Sequence, residues 1–534
     1  MIRERNDAPG LFPRACTAYL WLFSRDCGAR NHLCCRWLFL RALGLIYFSA
    51  FFSLLFQIRG LIGPGGIFSA GEYLERVREA FPGALHLWYA PTILWLSSGN
   101  ATLGALCWAG LVASLLVTAN VWPRLTLAIC FVCFLSFVAG AGVFSEYQSD
   151  GMLLEASFLS LFLAPRGVLP GLGARSLPSH ASLLLLLFEW LRIYFESGVV
   201  KLTSGDPTWR NLTAMYEYYQ NGPLPTWVGW YLQHLPNWFH IATAGLTLAM
   251  ELGLVFLAVL PRPFRIACFF LVTVWQAGVI VTANYCFLNY LVLALGFLLL
   301  DDRALQRFVP ARWRGSVLNA QAKLQSDGMP LNAGVAFTTV MLVWVFYATL
   351  VPFTGLFSRW PVLPSAPAVA LEPFRIANGY GLFANMTPHR YEIEFQGSED
   401  DHSWTPYPFR YKPQDPAKRP RIYAPYQPRF DWNLWFASLG SWRENPMVPR
   451  TEERLLENSH DVLGLFASNP FAQAPPRYVR AVLWQYWFST GSEKRRNDVW
   501  WKRKQLGTYA PTLERAPNGK FAIAVPASLP EGAP

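Results

Sequence analysis

Charged residues are scarce in this chain. Asp, Glu, Lys and Arg make up 15% of its 534 residues, whereas a soluble globular protein carries about a quarter. Hydrophobic residues reach 53%, and the chain contains 23 Trp and 39 Phe. This composition excludes an ordinary soluble enzyme and a disordered chain, and it indicates several segments that lie in a lipid bilayer.

Cysteine is absent from the C-terminal region. The last of the nine cysteines is Cys286, which excludes a disulfide framework after that residue. Cys130 and Cys133 form a CxxC pattern, but it lies in an apolar run without a second pair, so we interpret it as helix packing. The sequence also lacks a P-loop, an HExxH motif and a GxSxG motif. We therefore expect no metal site and no cofactor.

The net charge is +11, from 45 basic and 34 acidic residues. Nucleic-acid-binding proteins have such an excess, and so do membrane proteins, because their cytoplasmic loops are rich in Lys and Arg. The apolar composition favours the second explanation. We expect the lipid bilayer, and no nucleic acid, as a partner.

Nine apolar runs predict a polytopic α-helical membrane domain of eight or nine transmembrane helices over residues 37–354. Residues 1–36 carry six arginines ahead of the first run, which is typical of a cytoplasmic N-terminal segment. The run at 151–164 is short and contains Glu155, so it either crosses the bilayer or is re-entrant. With nine crossings, the basic loops face the cytoplasm and everything after residue 355 lies outside. The runs are residues 37–56, 101–121, 125–144, 151–164, 181–200, 239–260, 266–283, 286–300 and 333–352.

The residues after 355 predict a mostly β soluble domain with inserted helices, which we place at 355–515 on the outer side. Alternating patterns predict a hairpin from strands at 390–395 and 407–411, and two further strands at 477–488 and 498–509. Helices are predicted over 431–439 and from Thr451, which we expect at an N-cap. We expect residues 516–534 to be a disordered tail.

Several ionisable residues lie inside or beside the apolar runs, where charges are costly and need a partner or a task. Glu189, Arg192 and Glu196 share one helix face at spacings of three and four, which predicts a salt-bridge ladder within that helix. The alternative gives Lys201, at the end of the same helix, a role as a base or an anion site. The whole intramembrane charge cluster is Asp150, Glu155, Glu189, Arg192, Glu196, Lys201 and Glu251.

Two stretches are rich in aromatic residues. The loop 201–238 fits an aromatic belt at the membrane interface or a contact surface for a partner. The stretch 410–429 is basic and aromatic, and a surface rich in Trp, Tyr and Arg is typical of protein-binding sites. Its alternative is a Pro-rich loop that packs over its own sheet. The candidate client-contact residues are Trp209, Trp227, Trp230, Tyr423, Tyr426, Arg429, Asp431, Trp432 and Trp435.

Several separated blocks resemble the lipase maturation factor family. They include residues 148–156 (QSDGMLLEA), 197–210 (SGVVKLTSGDPTWR), 426–429 (YQPR) and 475–480 (PPRYVR), and the resemblance covers about 37–515. It implies a multi-pass membrane protein, in eukaryotes of the endoplasmic reticulum and in bacteria of the inner membrane. Such a protein would assist the folding and assembly of secreted dimeric lipases through its luminal or periplasmic C-terminal domain. The chain departs from the family at 218–223 (YYQNGP), where we expect HYETQP.

A shorter resemblance gives an alternative. The Gly198-x-x-Lys201-Leu segment with Trp209 downstream is similar to the membrane domain of the vitamin K-dependent carboxylase superfamily. This resemblance implies an integral-membrane enzyme with Lys201 as its catalytic base. A transporter lined by Glu189, Arg192 and Glu196 is a third interpretation, but the sequence has no detectable inverted repeat. We favour a maturation factor that is not an enzyme.

Overall fold

The computed structural model describes residues 18–24, 28–305, 307, 333–358, 360–516 and 519–532. Most of the predicted cytoplasmic N-terminal segment and of the basic loop 301–332 lies outside the described residues. Within the described part, each of the nine apolar runs contains a helix. These helices are α1 Leu33–Leu55, α2 Asn100–Thr118, α3 Pro123–Gly140, α4 Gln148–Leu163, α5 His180–Thr203, α6 Asn237–Leu252, α7 Arg262–Thr282, α8 Leu288–Gly296 and α9 Ala333–Gly355.

Six helical segments in the described part of the chain are long and apolar enough to cross a membrane: α1, α2, α3, α6 with its 3-10 extension to Val259, α7 and α9. The other three differ for identifiable reasons. Helix α4 has 16 residues, α5 carries four of the charged residues discussed above, and α8 with its 3-10 extension ends at Leu299. A polytopic helical membrane region is therefore confirmed.

The loops on one side of the bundle lie together. The Asp302 carboxylate accepts the backbone N–H groups of Leu33 and Cys34 at 3.0 and 2.8 Å. The Arg36 guanidinium donates to the carbonyl oxygens of Leu172 and Ser176, between α4 and α5. These contacts hold the start of α1, the end of α4 and the residues after α8 at one end of the bundle, which we call the N-terminal end.

The opposite end carries the C-terminal domain. Gln57, after α1, donates to the Gln427 carbonyl oxygen at 2.9 Å, and Asn284, between α7 and α8, donates to the Arg421 carbonyl oxygen at 2.9 Å. Along the chain from α1 to α9, the loops that connect one helix to the next lie alternately at the end with the C-terminal domain and at the N-terminal end. Helix α4 follows this alternation and runs from the C-terminal domain to the N-terminal end.

Shorter helices lie in the loops and in the C-terminal domain. Two of them, α10 Arg429–Ala437 and α11 Met447–Leu456, are helices inserted into the C-terminal domain. The other α-helices whose bounds lie within the described residues are Ile58–Ile62, Ala70–Ala80, Leu85–Tyr89, Pro207–Arg210, Tyr218–Asn221, Trp227–Gln233, Asp302–Leu305, Ala366–Val369, His460–Leu463 and Gly491–Asn497.

One antiparallel sheet forms the centre of the C-terminal domain, in the order β2-β1-β3-β5-β6, with β4 also paired to β3. The full length of β1 pairs with β3, from Arg390 opposite Tyr486 to Ser398 opposite Tyr478. The mostly β prediction is confirmed. The strands are β1 Arg390–Ser398, β2 Thr405–Pro406, β3 Tyr478–Phe488, β4 Trp501–Thr508, β5 Thr512–Arg515 and β6 Phe521–Val525.

Three local predictions are wrong. The second hairpin strand is Thr405–Pro406 and does not extend over 407–411, because Pro408 has no N–H and the Phe409 N–H donates to the Gln414 side chain instead of to β1. Thr451 lies inside α11, where its hydroxyl donates to the Met447 carbonyl oxygen one turn earlier. The predicted disordered tail contains β6, which follows a turn at Gly519 and pairs with β5 because that pairing satisfies its backbone groups.

Candidate functional site at the junction of the two regions

A segment after α9 binds the charged residues of the membrane helices. We call residues 375–386 the strap. Arg192 of α5 forms an ion pair with Glu155 of α4, and both side chains are 1% exposed. Arg192 also donates to the Asn378 carbonyl oxygen at 2.5 Å, and Glu155 accepts the Asn378 backbone N–H at 2.9 Å. The strap therefore supplies further hydrogen bonds to both members of a buried ion pair, although the Arg192 Nε has no partner among the described residues.

Further contacts fix the strap along its length. The Glu196 carboxylate accepts the Tyr380 backbone N–H at 2.6 Å, and the Trp209 indole donates to the Phe383 carbonyl oxygen at 2.8 Å. Gly151 of α4 is needed for this approach, since a Cβ there would lie 2.6 Å from the Asn378 side-chain oxygen.

The predicted ladder within α5 is wrong. The carboxylate that pairs with Arg192 belongs to Glu155 on α4, because α4 and α5 pack side by side and place Glu155 against the guanidinium. Glu196 binds the strap instead. Both carboxylate oxygens of Glu189 are buried without a hydrogen-bond partner among the described residues.

Asp150 and Arg429 form a second ion pair, which joins α4 to α10. The two nitrogens of the guanidinium contact the two carboxylate oxygens at 2.7 and 2.8 Å, and both side chains are completely buried. Arg429 also donates to the Phe144 carbonyl oxygen at 2.8 Å, and its guanidinium lies 4.8 Å from the centre of the Phe137 ring. Arg429 therefore attaches the C-terminal domain to the membrane helices.

Lys201 has its ion-pair partner in α6. The Lys201 ammonium lies 2.9 Å from both carboxylate oxygens of Glu251 and 2.6 Å from the Ser197 hydroxyl, and it lies 5.2 Å from the centre of the Trp209 ring. The N–H groups of the Lys201 ammonium are therefore directed at acceptors within the chain, namely Glu251 and Ser197.

Histidines and acidic residues do not come together as a metal site in the described part of the chain. His234 and His240 each bond to a backbone carbonyl oxygen, those of Trp230 and Leu235 respectively.

Most of the candidate client-contact residues are internal. Trp227 is 37% exposed, and Tyr423 and Tyr426 are half-buried. The remaining six have at most 7% of their surface exposed, so the surface that this set offers to a partner is small. Those six are Trp209, Trp230, Arg429, Asp431, Trp432 and Trp435.

Two of the internal candidates illustrate why they are buried. The Trp435 indole donates to the Asn221 carbonyl oxygen at 3.1 Å, across the junction with the loop 201–238. The Asp431 carboxylate accepts the backbone N–H groups of Tyr411 and Lys412 at 3.3 and 3.0 Å. Burial raises the pKa of Asp431 to about 6.

An open cleft of about 570 Å³ lies beside this junction, on the side of the C-terminal domain. It runs between the strap, the start of α4 and the end of α10. We call it the outer cleft and define it by Tyr147, Leu382, Phe383, Trp432, Trp435 and Phe436.

Phe436 is the open part of the cleft wall, with 45% of its surface exposed. Its ring lies 6.0 Å from that of Tyr147 and 6.3 Å from that of Trp432. Sequence analysis missed Phe436, although its position four residues after Trp432 indicates the same helix face. The cleft thus combines rigid aromatic walls with one exposed apolar side chain.

Family models match both regions. The model described as lipase maturation factor transmembrane domain matches residues 34–307, and the one described as lipase maturation factor C-terminal domain matches 376–511. Lipase maturation factor 1 of Bos taurus is 33% identical over 89% of this chain and 88% of its own length. Lipase maturation factor 1 of Homo sapiens is 31% identical, over 96% of this chain and 92% of its own length.

Lipase maturation factor 2 of Gallus gallus is 31% identical over 90% of this chain and 81% of its own length. No solved structure matches the chain. The relatives are named as maturation factors, and the carboxylase-like alternative is not favoured by them. The chain is a multi-pass membrane protein that belongs to the lipase maturation factor family.

Proposed function

We propose that this protein assists the folding and assembly of secreted lipases without chemistry of its own, and that its outer cleft binds an apolar segment of the client. The observation that carries the proposal is the similarity to named lipase maturation factors over about nine tenths of the chain. An unfinished lipase exposes apolar side chains that its folded dimer buries. A cleft with aromatic walls suits such a segment, because aromatic rings supply large contact areas with few rotatable bonds.

The outer cleft also has polar groups at its edge. Glu146, Asn385 and Asn445 line it together with the aromatic walls. An apolar centre with a polar rim is the usual anatomy of a protein-binding surface. This arrangement supports reversible binding of a client rather than permanent burial.

A substitution at Phe436 tests this proposal. The full chain is expressed with a secreted dimeric lipase in cells that lack their own maturation factor, and the lipase activity in the medium is measured. Phe436→Asp places a charge in the outer cleft, and we expect at least a five-fold loss of secreted activity at unchanged levels of the protein. Ile523→Asp is the matched control, because Ile523 is 61% exposed on β6 and does not line the cleft. Equal activity of the two variants would contradict the proposal.

We also propose that the C-terminal domain lies in the lumen of the endoplasmic reticulum, or in the periplasm of a bacterium. The alternation of the loops supports this placement, together with the arginines at the opposite end of the bundle, such as Arg166 and Arg262. Basic loops favour the cytoplasmic side.

Labelling of single cysteines with a membrane-impermeant maleimide tests the placement. Arg166→Cys and Ser403→Cys are introduced at exposed positions, in a background with Cys16 and Cys27 changed to Ser. The other seven cysteines are buried. In intact microsomes we expect reaction at residue 166, and reaction at residue 403 only after permeabilisation. The reverse pattern would overturn the proposed orientation.

A further inference from the structure

A second cavity, of about 350 Å³, lies between α5, α6, α7 and α8, and the strap and the loop 201–238 also line it. Its volume is in the range of small-molecule sites, about 300–1,000 Å³. Lys201 and Glu251 line one part of it, and apolar residues of α6 and α7 line another. The outer cleft shares Leu382 and Phe383 with this cavity, but Phe436, at which the client proposal is tested, does not line it.

The cavity opens sideways between α6 and α7. Leu246 of α6 and Val274 of α7 both line it, yet they are 46% and 74% exposed. Gly278 also lines it, and a Cβ at Gly278 would meet no atom within 4 Å. Both helices are long and apolar enough to cross a membrane. A ligand that enters here therefore comes from the bilayer, and its apolar part can remain in contact with lipid.

The polar part of the cavity carries no free charge. Lys201 and Glu251 neutralise each other, with both carboxylate oxygens 2.9 Å from the ammonium. A charged headgroup would have to be buried there without a counter-ion, which costs several kcal/mol or more. The site therefore suits an uncharged head.

Two buried amides in the cavity wall have unused hydrogen-bonding capacity. The Gln276 oxygen accepts the Tyr194 hydroxyl at 2.9 Å, while its nitrogen makes no hydrogen bond within the described ranges. Asn289 lines the cavity and is 7% exposed, and its side chain likewise makes no hydrogen bond to another described residue. Buried polar groups are normally hydrogen-bonded. Both amide nitrogens are donors that fit a carbonyl or hydroxyl oxygen.

We propose that this cavity binds the uncharged, oxygen-bearing head of a membrane lipid, held by Gln276 and Asn289, with the hydrocarbon tail leaving between α6 and α7. An acylglycerol and an isoprenoid quinone both have this chemistry. A phospholipid with a charged headgroup does not.

Photo-crosslinking of the full chain in nanodiscs tests the proposal. The probes are a diacylglycerol, an isoprenoid quinone and a phosphatidylserine, each with a diazirine in the tail, and the labelled peptides are mapped by mass spectrometry. We expect one of the uncharged probes to label α6 and α7 near residues 246 and 274, and the one that does so identifies the source of the ligand. Labelling of these positions by phosphatidylserine at the same level, or by none of the probes, would overturn the proposal.

Matched substitutions assign the labelling to the cavity. Gly278→Phe fills the opening, and we expect at least a five-fold loss of labelling. Gly245→Phe is the control, because a Cβ at Gly245 also meets nothing within 4 Å but Gly245 does not line the cavity. Gln276→Leu removes one hydrogen bond and is expected to weaken binding about five-fold, which corresponds to about 1 kcal/mol. Unchanged labelling in both Gly278→Phe and Gln276→Leu would contradict the site.

Discussion

The two ends of α10 differ in burial and in whether their side chains have partners within the chain. At its start, Arg429 is completely buried and its guanidinium is paired with Asp150. At its end, two turns later, Phe436 is 45% exposed in the outer cleft. Both residues belong to the same helix, Arg429–Ala437, but only Arg429 was a candidate client-contact residue. The difference shows that a charged or aromatic side chain indicates a partner only when the chain itself leaves it unsatisfied.

The buried ion pairs differ in the same way from the outer cleft and the cavity beside Gln276. Glu155 and Arg192 form a pair, and each of them makes a further hydrogen bond to the strap. The outer cleft and the cavity beside Gln276 instead expose groups without such partners. Substitutions at the ion pairs should therefore impair folding, whereas substitutions at the open sites should impair binding.

The largest effect is expected for Arg429→Ala. It leaves the Asp150 carboxylate buried without a partner, which costs about 3–5 kcal/mol. We expect the chain to be degraded and its melting temperature in detergent to fall sharply, as measured by immunoblot and thermal unfolding. The double variant Asp150→Leu/Arg429→Leu removes both charges and should recover much of this loss. If Arg429→Ala is as stable as the wild type, the ion pair does not attach the C-terminal domain to the membrane helices.

Lys201→Met should have a smaller effect on stability. It leaves Glu251 without its ion-pair partner, but the Glu251 side chain is 11% exposed and therefore keeps some contact with its surroundings. The double variant Lys201→Met/Glu251→Leu should restore the level of the protein and keep lipase maturation, because we assign no chemical step to Lys201. Loss of lipase maturation in a well-folded double variant would contradict this assignment and favour an enzyme with Lys201 as its base.

Glu155→Gln should cost about 1–3 kcal/mol, the usual penalty for an incompletely paired buried group. The variant leaves Arg192 without a carboxylate but keeps an oxygen for the Asn378 backbone N–H. Because the strap binds both members of the pair, we expect faster proteolysis of the strap in limited digestion. Glu372→Gln, outside the strap and outside the ion pairs, serves as the control. Identical digestion of both variants and the wild type would mean that the pair does not anchor the strap.

The smallest effect is expected for Asp431→Asn. Burial raises the pKa of Asp431 to about 6, above its ordinary value near 4. The folded protein thus binds the proton more tightly, and the contribution of Asp431 to stability falls as the pH rises from about 4 to 6. The amide oxygen introduced by this substitution can still accept the backbone N–H groups of Tyr411 and Lys412, since a single oxygen of the Asp431 carboxylate accepts both.

We therefore expect Asp431→Asn to decrease less in melting temperature than the wild type between pH 4.5 and 7.5. Asp415→Asn, at an exposed position of the same domain, is the control. The interpretation fails if the pH dependence of Asp431→Asn equals that of the wild type.

Much of the fold follows from local patterns. The apolar runs locate α1 to α9, and the alternation at 477–488 and 498–509 locates β3 and β4. These features depend on periodicities of a few residues. The predictions that failed depend on contacts that a local pattern does not show. The Phe409 N–H donates to the Gln414 side chain instead of to β1, and β6 forms because it pairs with β5.

The site could be predicted only in part. Asp150, Glu155 and Arg192 stand out because charges are rare in apolar runs, but their partners depend on how distant segments pack. Asp150 pairs with Arg429, which is 279 residues away along the chain, and Arg192 binds Asn378, 186 residues away. Phe436 was missed because an exposed aromatic residue and a buried one have the same sequence signal.

Direct contact between the outer cleft and a client is the central proposal, and site-specific photo-crosslinking measures it most directly. A photoreactive phenylalanine analogue is placed at residue 436 or, as the control, at residue 523, and the full chain is irradiated in cells during synthesis of a secreted lipase. We expect the lipase to be crosslinked to residue 436 and not to residue 523. Crosslinking at neither position, or equally at both, with the protein folded and the lipase secreted, would contradict client binding in the outer cleft.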